Sequence, residues 1–142
     1  TNMQAAIGCA QLERIEEAIL KKREIGRFYK EHLKQAEGVL CQSVERTEYC
    51  DNIYWVYGVV LEHTKMDAGQ AMEKLRKRGI GTRPFFYPIQ KQPVFLKMGL
   101  FQGEACPVSE KIAEKGFYIP SGLGLTEEKM QKVAQVMLEE FS

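Results

Sequence analysis

The sequence has no long hydrophobic run. No stretch approaches roughly 18 consecutive apolar residues, which excludes a helix crossing a membrane. It has no excess of one charge either. Lys+Arg 20 against Asp+Glu 19 leaves a net charge of +1, whereas a nucleic-acid-binding domain carries a basic excess or stripe. No charged segment followed by an apolar one opens the chain, so no secretory leader is visible. Histidines are few, His32 and His63, and the cysteines Cys9, Cys41, Cys50 and Cys106 form no CxxC pair. Zinc needs such ligands clustered, so no metal is expected. Four scattered cysteines make no disulfide framework and read as the reduced thiols of a cytoplasmic protein. No Ser/His/Asp arrangement suggests a nucleophile; both histidines have charged neighbours and read as surface residues. Gly122 and Gly124 precede a helix, but the third glycine of the dinucleotide fingerprint is absent, and Glu127 and Glu128 would repel a phosphate there.

What is present is an ordinary globular composition: 44% hydrophobic and 27% charged over 142 residues. A chain of this length is one domain and buries about two-thirds of its unfolded surface. Residues 1–37 read as one long helix. Ala5, Gly8, Leu12, Ile15, Ile19, Gly26, Tyr29 and Leu33 recur at helical steps on one face, and Gly38 follows as the terminator. At ~1.5 Å per residue it would span about 50 Å, more than a small domain needs, as expected of a helix that links two domains or packs on a partner.

The run Ile53–Leu61 reads as a strand, apolar at nearly every position and so covered on both faces. Asp67 and Gln70 form a capping box for a helix that Gly79 ends. Pro84 marks residues 80–87 as an edge strand or strand end, and residues 88–106 read as an irregular loop. A short helix from Pro107, a strand at Phe117–Pro120 and a helix capped by Thr126 complete the chain. The expected fold is α/β, of the small α+β kind: a sheet of about three strands in residues 50–142, with helices packed on it.

The stretch from Gly79 to Pro93, GIGTRPFFYPIQKQP, is the most informative. Arg83 lies among Phe85, Phe86 and Tyr87, and an arginine among rings can hold a phosphate or carboxylate beside a sugar or base. The same residues also suit an edge strand with a solvated arginine and core rings. Lys91, between Gln90 and Gln92, has none of the desolvation or cationic neighbours that a nucleophilic amine requires.

Three segments in order resemble one family. The opening residues Ala5, Ala6, Ile7, Gly8, Gln11, Leu12, Glu13 and Arg14 fill a run of the DegT/DnrJ/EryC1/StrS aminotransferases. GIGTRPFFYPIQKQP is similar to that family's Gly-Ile-x-Thr-Arg-Pro-x-Phe-x-Pro-(Leu/Met)-His-x-x-Pro, in the form closest to the branch containing perosamine synthetases. The closing CPVSEKIAEKGFYIPSGLGLTEEKMQKV matches its last segment. Where many relatives carry a histidine, this chain has Gln90, which can hydrogen-bond a sugar hydroxyl but cannot exchange a proton near neutral pH.

The resemblance implies the C-terminal small domain of a longer, fold type I enzyme. The intact protein would use pyridoxal phosphate to move an amino group from an amino acid, glutamate foremost, to a keto-sugar nucleotide for polysaccharide or deoxyaminosugar synthesis. It would work as a homodimer. The Schiff-base lysine and most cofactor ligands would lie in a large domain preceding Thr1, so this chain alone is expected to bind no cofactor and to be inactive. Its contribution would be one wall of the nucleotide-sugar cleft, formed by Arg83, Phe85, Tyr87 and Gln90, and a linking helix over residues 1–37. Two other readings stay open on the sequence: a stand-alone ligand-binding or regulatory α/β domain, and a nucleic-acid-binding domain using Arg76, Lys77, Arg78 and Arg83 with Phe85 and Tyr87 as stacking rings.

Overall fold

Thr1 starts the first helix. Its hydroxyl accepts from the Gln4 amide while the Gln4 side chain reaches back to the terminal amine, a complete capping box for α1, Asn2–Leu12. The structure, a computed structural model, describes residues 1–41 and 44–142. The single helix expected over residues 1–37 is divided. After the last α-helical bond, from the Glu13 N–H to the Cys9 carbonyl, the turn tightens as the Arg14 N–H reaches the Gln11 carbonyl, Arg14 leaves helical geometry at φ −115°, and α2 runs Ile15–His32. The helix therefore ends at His32 and Leu33, before Gly38. The role of Gly38 is steric: a Cβ there would lie 2.6 Å from the Phe141 carbonyl oxygen.

Among the described residues four antiparallel strands form one sheet in the order β1-β2-β4-β3: β1 Val39–Cys41, β2 Tyr57–Leu61, β3 Arg83–Pro84 and β4 Gly116–Ile119. The count exceeds the expected three because β1 pairs Val39 with Leu61. β2 is shorter than the apolar run suggested, since Tyr54 takes φ 51°, in the left-handed region, and the chain turns before Tyr57. Burial alternates along β2, with Tyr57, Val59 and Leu61 buried and Gly58 and Val60 half-exposed, so only one face is fully covered.

The helices α3 Ala68–Lys77 and α6 Glu127–Phe141 carry the caps read from sequence: Asp67 with Gln70, and Thr126 accepting from the Lys129 amide. Gly79 at φ 78° ends α3, with the Ile80 N–H returning to the Leu75 carbonyl. Residues 88–106 contain one 3-10 turn, Ile89–Lys91, and a short α4, Pro93–Lys97. The next helix is α5, Pro107–Lys115.

The core is one cluster in which Ile25 and Tyr29 of α2, Leu75 of α3 and Met130, Val133 and Met137 of α6 cover the buried side of β2 and β4. On the opposite side the Phe85 ring lies against Tyr118, centroids 4.4 Å apart. Gly116 makes this approach feasible, because a Cβ there would sit 2.4 Å from the Phe85 ring. None of α1 is buried.

Candidate functional site

The pairing of β3 with β4, Arg83 opposite Tyr118, fixes the Gly79–Pro93 segment on the sheet edge. From there the four expected site residues diverge. Arg83 is exposed and lines a cleft of about 470 Å³ at the end of the sheet. Phe85 is half-buried on Tyr118 and lines a separate, apolar cleft of about 720 Å³ together with Phe86, Cys106, Val108 and Ile112. Tyr87 is exposed on the loop. Gln90 is only 6% exposed, and its side-chain amide donates to Glu110 at 3.4 Å. The fold thus brings Arg83 to one cleft and Phe85 to another, and turns Gln90 inward to its tether.

That tether organises the loop. The Glu110 carboxylate accepts from Lys91 Nζ at 2.7 Å, from the Cys106 amide at 3.2 Å and from Gln90. Lys91 foremost, then the Cys106 N–H, hold its pKa below the usual carboxylate range, and the Glu110 carboxylate in turn raises that of Lys91. Lys91 is therefore an ion-pair partner and stays protonated.

The cleft at Arg83 has a second cation that sequence reasoning passed over. Lys22, on α2 and half-buried, donates to the Trp55 and Ser121 carbonyls, each at 2.6 Å. Burial lowers its pKa. A signal existed. Lys22 follows Ile19 by three residues and precedes Gly26 by four, which places it on the apolar stripe that continues through Tyr29 and Leu33. Trp55 and Val56 lead into β2, Gly81 and Thr82 into β3, and Ser121 and Gly122 follow β4, so three strand ends and one helix meet around this ammonium.

The basic cluster proposed for nucleic acid is neutralised within the protein. Arg76 and Lys77 pair with Glu73 at 2.7 and 3.9 Å, and Arg78 bridges Glu139 and, at 2.9 Å, Glu140. Phosphate contact would have to displace these carboxylates, which leaves Arg83 alone of the four cations open to a phosphate.

A model of the DegT/DnrJ/EryC1/StrS aminotransferase family matches residues 1–138. A GDP-perosamine synthase of Vibrio cholerae is 29% identical over 143 residues, covering 100% of this chain and 38% of that protein. A GDP-perosamine synthase of Caulobacter vibrioides is 32% identical over 138 residues, covering 94% of this chain and 35% of that protein. Among solved structures, an aminotransferase of Helicobacter pylori involved in pseudoaminic acid biosynthesis superposes with a TM-score of 0.84 at 20% identity, over 97% of this chain and 36% of the other. A sugar aminotransferase of Micromonospora echinospora gives 0.78 at 24% identity, over 94% and 34%. The chain thus spans little more than a third of the proteins it matches.

Proposed function

The chain belongs to the DegT/DnrJ/EryC1/StrS aminotransferase family, and we propose that it acts as the C-terminal part of an enzyme transferring an amino group from an amino acid, glutamate foremost, to a keto-sugar nucleotide. In this reading residues 1–142 form the small domain, with an α/β layer in residues 50–142 and a segment over residues 1–37 that links it to a preceding large domain, and the assembled enzyme is a cytoplasmic homodimer. The observation that carries it is Arg83: exposed, without an ion-pair partner among the described residues, and held on β3 at the mouth of a cleft, in the segment that carries the resemblance. A guanidinium so placed can bind a phosphate or carboxylate through two parallel hydrogen bonds. Tyr87 is exposed on the loop that follows, while Phe85 packs on Tyr118 of β4 and Gln90 fixes the loop through Glu110.

Pyridoxal phosphate, which the family implies, supplies an electron sink for the amino transfer and needs a lysine amine able to lose its proton. The lysines discussed above do not fit that need. Lys91 is paired with Glu110, and Lys22, although burial lowers its pKa, keeps its amine tied to two backbone carbonyl oxygens. In this reading the Schiff-base lysine and most cofactor ligands lie in the large domain, as the resemblance implies.

The test is kinetic. In the full-length enzyme Arg83→Ala should lower kcat/KM for the nucleotide sugar by ~10-fold or more, because a hydrogen bond to a charged group contributes roughly 1.5–3 kcal/mol. Arg83→Lys should recover part of it. Unchanged kinetics accompanied by a large fall in melting temperature would assign Arg83 a structural role instead.

A further inference from the structure

We propose that the cleft between Lys22 and Arg83 is an oxyanion pocket, which takes a phosphate or carboxylate group of the substrate between a fixed ammonium and an open guanidinium. The proposal deepens the reading of Arg83 given above and rests on it.

The argument begins with charge. Lys22 and Arg83 both line the cleft of about 470 Å³, and among the described residues neither has a carboxylate within ion-pair distance. Neighbouring basic clefts differ: Arg27 and Arg46 face Glu45 at 2.7 Å and Asp51 at 3.0 Å, and Lys77 faces Glu73. Those cations are neutralised inside the fold, whereas two net positive charges remain at the end of the sheet. The carbonyls of Trp55 and Ser121 stabilise the Lys22 ammonium through their dipoles, but dipoles do not cancel a unit charge.

Geometry supplies the rest. An ammonium has three donors, and two of them are taken by carbonyls 2.6 Å away. The third is left for a ligand, and the two taken bonds hold the nitrogen in place without any cost on binding. Arg83 adds a planar fork from the facing strand end. Gly81 and Gly122 keep the rim free of side chains, and at either position an added Cβ would meet no atom within 4 Å, so the opening has room for more than water. Burial already lowers the Lys22 pKa, and an anion arriving in the cleft would restore it.

Two parts of the proposed substrates carry this chemistry: the diphosphate of the nucleotide sugar and the carboxylate of the amino-acid donor. Trp55, the single tryptophan of the chain, lines the cleft and reports on it directly. The 142-residue chain would be titrated with inorganic pyrophosphate and, separately, with glutarate, against sodium chloride at matched ionic strength. Tryptophan emission and the amide resonances of Gly81, Thr82 and Arg83 would be followed. A saturable change with pyrophosphate assigns the pocket to the diphosphate, and one with glutarate assigns it to the donor carboxylate. Arg83→Gln should weaken the binding by about 10-fold. Lys22→Gln should do the same, and Lys22→Arg, which keeps the charge should the glutamine variant fail to fold, should retain most of it. If neither anion exceeds the chloride control in the folded wild-type chain, the proposal is overturned. Loss of nucleotide-sugar kcat/KM in Arg83→Ala would then still stand, so the two readings fail separately.

Discussion

Two core tyrosines put their hydroxyls to opposite use. Tyr29 is fully buried and donates to the Pro120 carbonyl at 2.8 Å, tying α2 to the end of β4. Tyr54 is also buried, but its hydroxyl finds no partner among the described residues, while its ring closes over Gly26, where a Cβ would lie 2.3 Å from the nearest ring atom. A buried hydroxyl with a partner contributes about 1 kcal/mol net, and its loss also strands the carbonyl; one without a partner has already lost its hydration for nothing. Tyr29→Phe should therefore destabilise the fold by roughly 1–2 kcal/mol, and Tyr54→Phe should be neutral or slightly stabilising. Urea unfolding of the two variants side by side checks this. An equal loss in both would show that the Tyr54 hydroxyl is bonded in solution.

Among the elements, the loop over residues 88–106 depends on one carboxylate. Its 3-10 turn and α4 bury little: Val94, Leu96 and Met98 are all exposed, so apolar burial does not hold the segment. Glu110 does, through Lys91, Gln90 and the Cys106 amide. Glu110→Gln should raise hydrogen exchange across residues 88–106 while leaving the amides of β2 and β4 protected. The pH dependence has a definite sign. The folded-state pKa of Glu110 lies below its ordinary value of 4.5, so the tether is intact above that value and is lost as pH falls through the depressed one. Loop exchange that is the same in wild type and variant would place the restraint elsewhere. Much of this level was legible in the sequence, because local chemistry decided it: Asp67 with Gln70, Gly79, Thr126 and the edge-strand proline all sit where their side chains or φ preferences require. What was not legible was decided by distant contacts. β1 has only three residues, too few for a periodic signal, and exists because Leu61 pairs with Val39. The break at Glu13–Arg14 has neither glycine nor proline to announce it. Arg83 stood out among rings and prolines, whereas Lys22 was marked only by its place on the apolar stripe of α2, and Gln90 gave no sign that Glu110 would draw it inward.

The molecule leaves one helix without a reason to persist. Met3, Ile7 and Leu12 of α1 are 77%, 62% and 67% exposed, and no residue of this helix is buried. An 11-residue helix is marginal in water even with good propensity, since nucleation is costly and packing normally supplies the stability. A capping box at Thr1 contributes on the order of 1 kcal/mol and does not replace packing. The far side of the sheet is also incompletely covered: Leu40 and Val60 share an open cleft of about 360 Å³ with Phe85 and Tyr118. The relatives are nearly three times as long, and a preceding large domain, as proposed above, would supply what both surfaces lack. The expected behaviour of the isolated chain follows. Amides of Asn2–Leu12 should exchange rapidly in dilute solution, and protection there should appear only as concentration rises and copies pair through this face. The same amides should be protected in the full-length enzyme at any concentration. Hydrogen exchange resolved along residues 3–19 at two protein concentrations, with sedimentation to fix the oligomeric state, distinguishes the outcomes. Strong protection of these residues in a proven monomer would mean that the helix is stable alone, and its exposed stripe would cease to argue for a linking role.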